Sequence, residues 1–490
     1  MSPALIVLIA FLAIAVALGL WARRGHEMNL EEWTLGGRGF GSILVFVLMA
    51  GEIYTTFTFL GGSGWAYGKG APAFYILCYG AIAYSFSYFI LPVIWRYAHD
   101  RQLVSQADFF VSKYDSRALG VLVSLVGVAA LVPYLVLQLK GLGIIVSESS
   151  YGAIAPSTAI WVGTAALVGF VVVSGVRASA WTAALKDVMI LGVVITIGIY
   201  LPLHYYGGFV AMFRAIDHAK PGFLSLPASG MSTSWLISTV LLTAAGFYMW
   251  PHYFSSMYTA RSEDVFRKNA VFLPLYQLVI LFVFFAGFAA VLVVPGLKGA
   301  DGDLSLLRVA ERTFAPWLVG LIGAAGLLTA LVPGSMILIA ATTILAQNLF
   351  RAAVPSVTER TVTRVARGLV PVVAVIAAVM AQHGGQAIVA LLLMGYNLVT
   401  QLFPAALLAL PERPRVSARA AFAGIAAGEV TAAALSLTSA SIATLVPSAP
   451  QVLKDLNVGL VALVVNVVVM LAVDAVARLR VARSLETAPQ

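Results

Sequence analysis

Charged residues are scarce in this sequence. Asp, Glu, Lys and Arg make up only 10% of its 490 residues, whereas a soluble domain usually contains about a quarter. Hydrophobic residues make up 61%, and no soluble fold could cover that much apolar surface. The composition therefore excludes a soluble globular protein. It predicts an all-α polytopic membrane protein, because a spanning helix satisfies its own backbone hydrogen bonds in lipid.

Cysteine and histidine are also scarce, and the short motifs of enzymes are missing. A single cysteine, Cys78, excludes an internal disulfide and a thiolate metal cluster. The six histidines form no HxxH or HExxH pair, which argues against a zinc site. There is no GxxxxGK(S/T) phosphate loop, GxSxG elbow or carboxylate dyad. We therefore expect neither an enzyme nor an ATP-driven pump, and no bound cofactor.

Thirteen apolar runs of about 20 residues, the length that crosses a bilayer as a helix, extend along the chain. The first is predicted to be a retained helix, because no basic segment precedes it and no cleavage-type site follows it. We number these runs spans 1 to 13: 3–22, 42–66, 72–97, 118–147, 158–176, 178–205, 233–257, 269–295, 316–347, 367–382, 385–410, 418–446 and 456–477.

The lysines and arginines of the loops are distributed unevenly. With the N-terminus outside, 21 of the 30 Lys and Arg residues fall in inner loops and the inner tail, including Arg483. Only 7 fall in outer loops, and Lys140 and Lys186 fall within spans. The positive-inside rule therefore predicts an outer N-terminus and an inner C-terminus. The net charge of +9 is then explained by orientation in the lipid bilayer, which is the expected partner, and no nucleic-acid partner is expected.

Glu52 is an ionisable residue inside span 2, directly after Gly51. An ionisable group at membrane depth is costly unless it lines a cavity or has a partner, so it marks a pathway for a substrate, an ion or a proton. The alternative is a carboxylate that is neutralised for packing. The stretch around it, 50–54, is predicted to interrupt span 2.

A second interruption is predicted at 245–252, where Pro251 removes a backbone donor from span 7. The two interruptions begin blocks of five spans, 42–205 and 233–410. Since five is an odd number, the blocks have opposite orientations and are predicted to be inverted repeats with broken helices 2 and 7. Residues 1–41 form the first span and an inner loop, and 418–490 form two peripheral spans and a tail. We expect one transmembrane domain, 1–490.

Several stretches resemble the sodium:solute symporter family. They are LGGR at 35–38 and ATTILAQNLFR at 341–351. Five others are similar to the bacterial monocarboxylate permease branch of that family: GEIYTTFTF at 51–59, ADFF at 107–110, VPY at 132–134, LQL at 137–139 and ALVP at 330–333. The resemblance implies a leucine-transporter-type fold in which spans 2–6 and 7–11 are the repeats. It also implies a monomer in the cell inner (plasma) membrane that carries lactate, pyruvate or, in some members, alanine.

The resemblance also implies a site for the coupling ion. The family's sodium site uses backbone carbonyls at the break of span 2, which match Gly51 and Tyr54, and hydroxyls on span 9. The matching span 9 positions are Thr329, Val332 and Pro333, and the last two have no hydroxyl.

Span 6 departs from the family as well. Sodium-coupled relatives have an Asp-x-x-Gln segment there, whereas this chain has Ala183-Ala184-Leu185-Lys186. We hypothesise that Lys186 replaces Na⁺, exchanges a proton and communicates with Glu52, because a lysine loses its proton readily when buried. Alternatively, Lys186 snorkels to the inner surface or pairs with Asp187. Lys140 is expected to snorkel outward toward Glu148, with attraction of an anionic substrate as the alternative.

A small carboxylate is expected to bind at the two breaks, where half-helix N-termini present free N–H groups and a partial positive charge. The candidate substrate-binding residues are Gly51, Tyr54, Thr55, Thr56, Gln138, Phe247 and Tyr248, together with Tyr396 and Asn397 by their match to the family. The candidate coupling residues are Glu52, Lys186 and Thr329, and no metal ligand is assigned.

The predicted function is import of a small monocarboxylate with H⁺ symport by alternating access. One alternative is a Na⁺-coupled symporter of a small organic acid or an amino acid such as alanine or proline. Another alternative is a membrane sensor on a transporter scaffold, although no signalling domain is recognisable in the sequence.

Overall fold

The computed structural model describes residues 2–486, and it describes side chains up to residue 480. The end of the predicted inner tail and the side chain of Arg483 lie outside the described residues. All regular structure within the described residues is helical, apart from one isolated parallel bridge between Phe40 and Ala260.

Ten helices of the described chain are long and apolar enough to cross a membrane. These helices can be long and apolar because charged residues are scarce in the sequence. Each contains a run of 18 residues with at most two charged side chains. They are Pro3–Ala22, Ala71–Asp100, Arg117–Ser149, Pro156–Tyr206, Asp264–Val293, Pro316–Ala353, Glu359–His383, Ile388–Leu408, Ala418–Leu437 and Val458–Arg480.

The helix Pro156–Tyr206 covers predicted spans 5 and 6 in one element of 51 residues. At 1.5 Å per residue it is about 77 Å long, which is more than twice the hydrocarbon thickness of a bilayer. It bends at Gly175, where φ is 58° and ψ is −154°. The predicted gap at 177 is therefore wrong by two residues, and the two spans are joined by a bend without an intervening loop.

Both predicted interruptions are present. The first broken helix, 42–69, consists of Ser42–Gly51, an irregular stretch at 52–55, a π-helical segment at Phe57–Gly62 and Ser63–Lys69. The second broken helix, 233–258, consists of Thr233–Gly246, a 3₁₀ turn at Phe247–Met249, the extended residue Trp250 and Pro251–Tyr258. Pro251 begins the second half, where its missing N–H costs no helical hydrogen bond.

Five predicted boundaries differ from the structure by five residues or more. Span 8 begins at Asp264 and not at 269, and the helix of span 13 continues to Glu486, nine residues past 477. Span 10 begins at Glu359, eight residues before the predicted start, because the Thr358 hydroxyl caps it by accepting from the N–H of Thr361. Span 12 ends at Leu437, because Ser439 adopts a left-handed conformation with φ of 52°. Span 9 continues to Ala353 through a π-helical segment, Ile344–Phe350.

Short helices lie between the long ones. They are Leu30–Leu35, Gln106–Tyr114, Phe209–Ala219, Ser305–Thr313, Ile442–Leu445 and Gln451–Lys454, with 3₁₀ turns at Gly36–Arg38 and Gly299–Leu304. The 3₁₀ turns Ala71–Phe74 and Thr400–Leu402 and the short helix Arg351–Ala353 lie within the long helices given above.

The helix Pro316–Thr343 forms the centre of the molecule. Its residues from Ile322 to Thr343 are all buried, and it packs against Pro3–Ala22, Arg117–Ser149 and Pro156–Tyr206. The last two long helices, Ala418–Leu437 and Val458–Glu486, pack mainly against each other. The central helix also contacts one half of each broken helix, Ser42–Gly51 and Pro251–Tyr258.

Candidate functional site

The two breaks meet at Glu52. This residue follows the last helical residue of the first half of its helix, and its side chain is only 1% exposed. The hydroxyl of Ser256, in the second half of the second broken helix, donates to Glu52 Oε1. Glu52 Oε2 has no hydrogen-bond partner among the described residues. The structure thus places Glu52 between the two broken helices.

Lys186 reaches the first break from the helix Pro156–Tyr206. Its Nζ atom donates to the carbonyl oxygen of Gly51 at 2.7 Å and to that of Tyr54 at 3.0 Å. A Cβ atom on Gly51 would lie 3.4 Å from Nζ and 3.2 Å from Ala183 Cβ, so the glycine makes room for the ammonium group. Both carbonyls belong to the irregular turn that contains Glu52.

The side chain of Lys186 is fully buried, so the alternative that it snorkels to the inner surface is wrong. It does form an ion pair with Asp187, with 3.1 Å between Nζ and Oδ1. The long flexible stem of lysine lets the ammonium group reach both its sequence neighbour and the break. Asp187 was considered in the sequence only as a partner of the lysine, and it is itself buried at this site.

The charges of this cluster do not balance when all three groups are ionised. One ammonium group, on Lys186, faces two carboxylates, on Glu52 and Asp187, so the formal net charge is −1. Charges interact strongly in a buried site because little water screens them. One added proton would bring the cluster to neutrality.

The residues at the expected sodium site do not fit Na⁺ in this arrangement. The Lys186 ammonium group already bonds to both carbonyls that the ion would use. Thr329 has the one hydroxyl of the matched span 9 positions, and it donates to the carbonyl of Gly326 at 2.5 Å, while Val332 and Pro333 have no side-chain oxygen. The nearby Ser335 hydroxyl lies 2.6 Å from that of Ser179. Sodium is a hard cation that binds through several oxygen ligands, and the ammonium group already occupies two of the oxygens that match the site.

Thr55 and Thr56 begin the second half of the first broken helix, and their polar atoms are engaged within the protein. The Thr56 hydroxyl donates to Gln138 Oε1 at 2.8 Å. The N–H groups of Thr55, Thr56 and Phe57 donate to the side-chain oxygens of Thr58, Gln138 and Thr55, respectively. The expectation of free N–H groups at this half-helix N-terminus is therefore wrong, because side chains already cap it.

The predicted aromatic residues gather at the second break. The ring of Phe247 lies 5.0 Å from that of Tyr248, and the ring of Tyr396 lies 5.3 Å from that of Trp250, measured between centroids. On the side of the first break, the ring of Tyr54 packs edge-on against Tyr276 at 4.9 Å. These rings form the apolar wall that the sequence predicts around the breaks.

Asn397 does not face the breaks, so that prediction is wrong. A Cβ atom on Gly459, in the peripheral helix Val458–Glu486, would lie 2.4 Å from Asn397 Oδ1. Successive helical residues point about 100° apart. Because Tyr396 faces the breaks, Asn397 faces the peripheral helix.

Lys140 does not snorkel toward Glu148. Its Nζ atom donates to the carbonyl of Gln386, and Glu148 pairs with Arg308 instead. Lys140 thus joins the helix Arg117–Ser149 to the start of Ile388–Leu408, because its ammonium group finds a closer acceptor there.

Two further polar residues of the second broken helix lie at the site, and neither is among the residues predicted from the sequence. The His252 ring is fully buried, and neither of its nitrogens has a partner among the described residues. Ser256, which donates to Glu52, lies one turn later, and its Oγ atom is 3.0 Å from the carbonyl oxygen of His252. A signal was present in the sequence: His252 and Ser256 are four residues apart in the half-helix that Pro251 begins. This spacing puts both side chains on the same face of a helix.

Several buried side chains at the breaks have polar atoms without partners in the described part of the chain. They include Glu52 Oε2, Gln138 Nε2, Tyr248 Oη, Trp250 Nε1 and both ring nitrogens of His252. An unpaired buried polar atom costs about 1–3 kcal/mol, and such atoms normally bond to water or a ligand. These atoms are therefore available to a bound water molecule or to a small polar solute beside the aromatic rings.

The comparisons with known proteins agree with this architecture. Residues 33–428 match the profile of the "Sodium:solute symporter family". The chain is 59% identical to "Uncharacterized symporter YhjB" of Bacillus subtilis, over 98% of both chains. It is 29% identical to "Monocarboxylate transport permease protein" of Rhizobium johnstonii, over 75% of both chains.

A solved structure of a Na⁺-coupled sialic acid symporter, in a substrate-bound outward-open state, covers 98% of both chains with a TM-score of 0.78 and 18% identity. This likeness shows that the fold is shared, and the fold is of the leucine-transporter type. The chain is a multi-pass plasma-membrane transporter and not an enzyme. It is a secondary active solute symporter, and it belongs to the sodium:solute symporter family.

Proposed function

We propose that this symporter imports a small monocarboxylate, such as lactate or pyruvate, together with a proton. The observation that carries the proposal is the Lys186 ammonium group, which donates to the carbonyls of Gly51 and Tyr54 at 2.7 and 3.0 Å. These two carbonyls match, by the family resemblance, the backbone oxygens that bind Na⁺ in the family. An ammonium group brings the same single positive charge to them.

Lysine differs from Na⁺ because it can lose its charge without leaving the site. When Lys186 releases its proton, the resulting amine is neutral and its bonds to the two carbonyls weaken, since hydrogen bonds from a charged donor are about twice as strong. The turn around Glu52 then loosens. Proton release is in this way coupled to the shape of the first break.

Glu52 and Asp187 complete the coupling cluster. One proton neutralises the net charge of −1 that the three ionised groups would carry. The hydroxyl of Ser256 transmits the protonation state of Glu52 to the second broken helix. The two broken helices are the elements that rearrange in alternating access, with the blocks 42–205 and 233–410 as inverted repeats.

The proposed substrate follows from the chemistry at the breaks. Unpartnered Gln138 Nε2 can donate to a carboxylate, and the His252 ring can donate through one of its nitrogens. The aromatic wall of Phe247, Tyr248 and Tyr396 suits a small solute with one polar end. The relative that is 29% identical is described as a monocarboxylate transport permease, which supports the same substrate class. An anion and a proton together carry no net charge, so uptake is driven by the pH gradient.

The test is uptake of radiolabelled lactate or pyruvate into proteoliposomes, with a pH gradient and a Na⁺ gradient imposed separately. We expect accumulation with the pH gradient in the absence of Na⁺. Accumulation only with Na⁺ would overturn proton coupling and favour the sodium-coupled alternative. No uptake of either acid under both gradients would overturn the substrate class.

Two variants locate the coupling residues. Lys186→Gln keeps a polar side chain that cannot exchange a proton, and Glu52→Gln does the same at the other end of the cluster. We expect each to lower accumulation driven by the pH gradient by roughly 5- to 150-fold, the range of a coupling free energy of about 1–3 kcal/mol. Exchange of labelled for unlabelled substrate should persist, because it needs no net proton movement.

Lys140→Gln is the matched control. Lys140 also donates to a backbone carbonyl, but that carbonyl belongs to Gln386 and not to a break. We expect this variant to accumulate substrate like the original protein. If Lys186→Gln accumulates substrate as well as Lys140→Gln does, Lys186 is not the coupling residue.

A further inference from the structure

We propose that this protein binds the phosphate-bearing headgroup of an anionic lipid at the start of the helix Glu359–His383. A cavity of about 500 Å³ lies there, between this helix and the loop that follows the first helix. Its lining includes Arg360, Arg364 and Arg367 from the helix and Glu27 and Met28 from the loop. In the orientation proposed above, this site faces the inner leaflet.

The three arginines share one face of the helix. They lie four and three residues apart, which places them within about 60° of each other around the helix axis. Arg360 and Arg364 are exposed. Arginine guanidinium groups bind phosphate in a bidentate way, so two free guanidinium groups one turn apart suit a phosphodiester.

Arg367 forms the floor of the site. Its Nη2 atom donates to the carbonyl of Met28 at 2.7 Å, and its Nε atom is buried without a partner among the described residues. This bond fixes the loop against the helix. The buried Nε–H group is a donor for which the described part of the chain supplies no acceptor.

The acidic residues at the site leave the arginines available. Glu27 and Glu359 also line the cavity, but none of the ion pairs in the described residues joins them to Arg360, Arg364 or Arg367. Arg23 and Arg24 lie in the same short connection as Glu27 and are exposed. Five arginines and two glutamates give this corner of the molecule an excess of positive charge.

The same helix face continues as a surface for acyl chains. Beyond Arg364 it exposes Gly368 and then Val372, Ile376 and Val379, whose exposed fractions are 51%, 50% and 43%. A ligand with its phosphate on the arginines therefore has apolar surface directly above it. A lipid fits both parts of this face, whereas inorganic phosphate fits only the first. Basic pockets between helices on the inner side are typical headgroup sites.

The test is the thermal unfolding midpoint of the full protein in detergent during titration with phosphatidylglycerol, phosphatidylcholine or inorganic phosphate. We expect phosphatidylglycerol to raise the midpoint and the other two to leave it unchanged. The double variant Arg360→Gln and Arg364→Gln keeps Arg367 and its structural bond. Each arginine near a membrane surface contributes about 1 kcal/mol to the binding of anionic lipid. Because this variant removes two arginines, we expect its apparent affinity for phosphatidylglycerol to be roughly 30-fold lower than that of the original protein.

The double variant Arg413→Gln and Arg480→Gln is the matched control, because it removes two exposed arginines from the same predicted inner surface. It should retain the full effect of phosphatidylglycerol. An equal loss in both double variants would overturn the site, since general surface charge would then explain the binding. An equal rise of the midpoint with inorganic phosphate would overturn the assignment to a lipid. None of these measurements depends on transport, so their outcome is independent of the proposed function.

Discussion

A lysine in the place of a bound Na⁺ changes the condition that controls the charge at a binding site. The occupancy of a sodium site depends on the Na⁺ concentration, whereas the charge of a lysine side chain depends on pH. In this chain Lys186 contacts the two carbonyls next to Glu52 and the carboxylate of its neighbour Asp187. The sequence indicated the exchange because the hydroxyls at 332 and 333 and the acidic residue of span 6 are absent together.

Asp303 offers a residue-scale test of electrostatics outside the spans. It lies in the 3₁₀ turn Gly299–Leu304, is 1% exposed and accepts from the N–H of Ile388 at 2.9 Å. Burial raises the pKa of its carboxyl group from 3.8 to about 6, and the charge of Asp301 adds to the rise. The N–H of Ile388 and the positive charge of Lys140 lower the pKa only in part.

Because the raised pKa means that the folded state holds the proton more tightly, Asp303 stabilises the fold below about pH 4. That contribution is lost as the pH rises through about 6, and it amounts to about 3 kcal/mol. Asp303→Asn cannot ionise, so we expect the original protein to lose stability relative to this variant between pH 4 and 7. Thermal unfolding midpoints in detergent at several pH values measure the difference. Asp301→Asn, an exposed control in the same turn, should show only a small difference, because it removes the minor contribution of Asp301 to the raised pKa and keeps Asp303 ionisable. If the stability of Asp303→Asn changes with pH in the same way as that of the original protein, the prediction is contradicted.

At the scale of elements, the chain bends or breaks where glycine or proline allows it. Pro251 begins a half-helix, and Gly51 ends one. Gly175 bends a helix of 51 residues in a conformation that residues with a side chain rarely adopt. The bend packs closely on Trp33, whose ring N–H donates to the carbonyl of Val171 at 2.9 Å.

Gly175→Ala should therefore destabilise the protein. A Cβ atom there would lie 2.5 Å from the carbonyl oxygen of Trp33, and the strained backbone alone costs on the order of 1–3 kcal/mol. We expect a lower thermal unfolding midpoint in detergent. Gly169→Ala is the control in the same helix, because a Cβ atom at 169 meets nothing within 4 Å. Equal midpoints for the two variants would show that the bend tolerates a side chain.

At the scale of the whole molecule, the structure gives the bounds of the long helices. The number of membrane crossings and their direction remain predictions from the sequence. Within residues 2–486, ten helices have the length and composition of a membrane span. In the predicted scheme of thirteen crossings, each of the two broken helices adds one crossing. The helix that bends at Gly175 counts as two crossings and so adds the third. The positive-inside rule then places the N-terminus outside.

Cysteine labelling tests this orientation. In a Cys78→Ser background, Ser229→Cys introduces a thiol in a predicted outer loop and Ser356→Cys introduces one in a predicted inner loop, and both serines are exposed. A membrane-impermeant maleimide should label position 229 in intact cells and position 356 only after permeabilisation. The opposite pattern would invert the topology, and labelling of both in intact cells would contradict the scheme of thirteen crossings.

The sequence by itself determined the helical membrane class, the two interruptions and the family. Each of these depends on local properties: apolar length, a carboxylate inside an apolar run, and a proline or glycine at a fixed position. Residue types also sufficed to single out Glu52 and Lys186, because ionisable groups are rare at membrane depth.

Only the tertiary structure decided which partners these groups find. The Thr55, Thr58 and Gln138 side chains cap the half-helix that was expected to be free, and Asn397 faces the peripheral helix. Ser256 reaches Glu52 across 204 positions of the chain, and Lys186 reaches Gly51 across 135. Such contacts depend on how whole helices pack and rotate against each other, and no local pattern in a single sequence encodes that rotation.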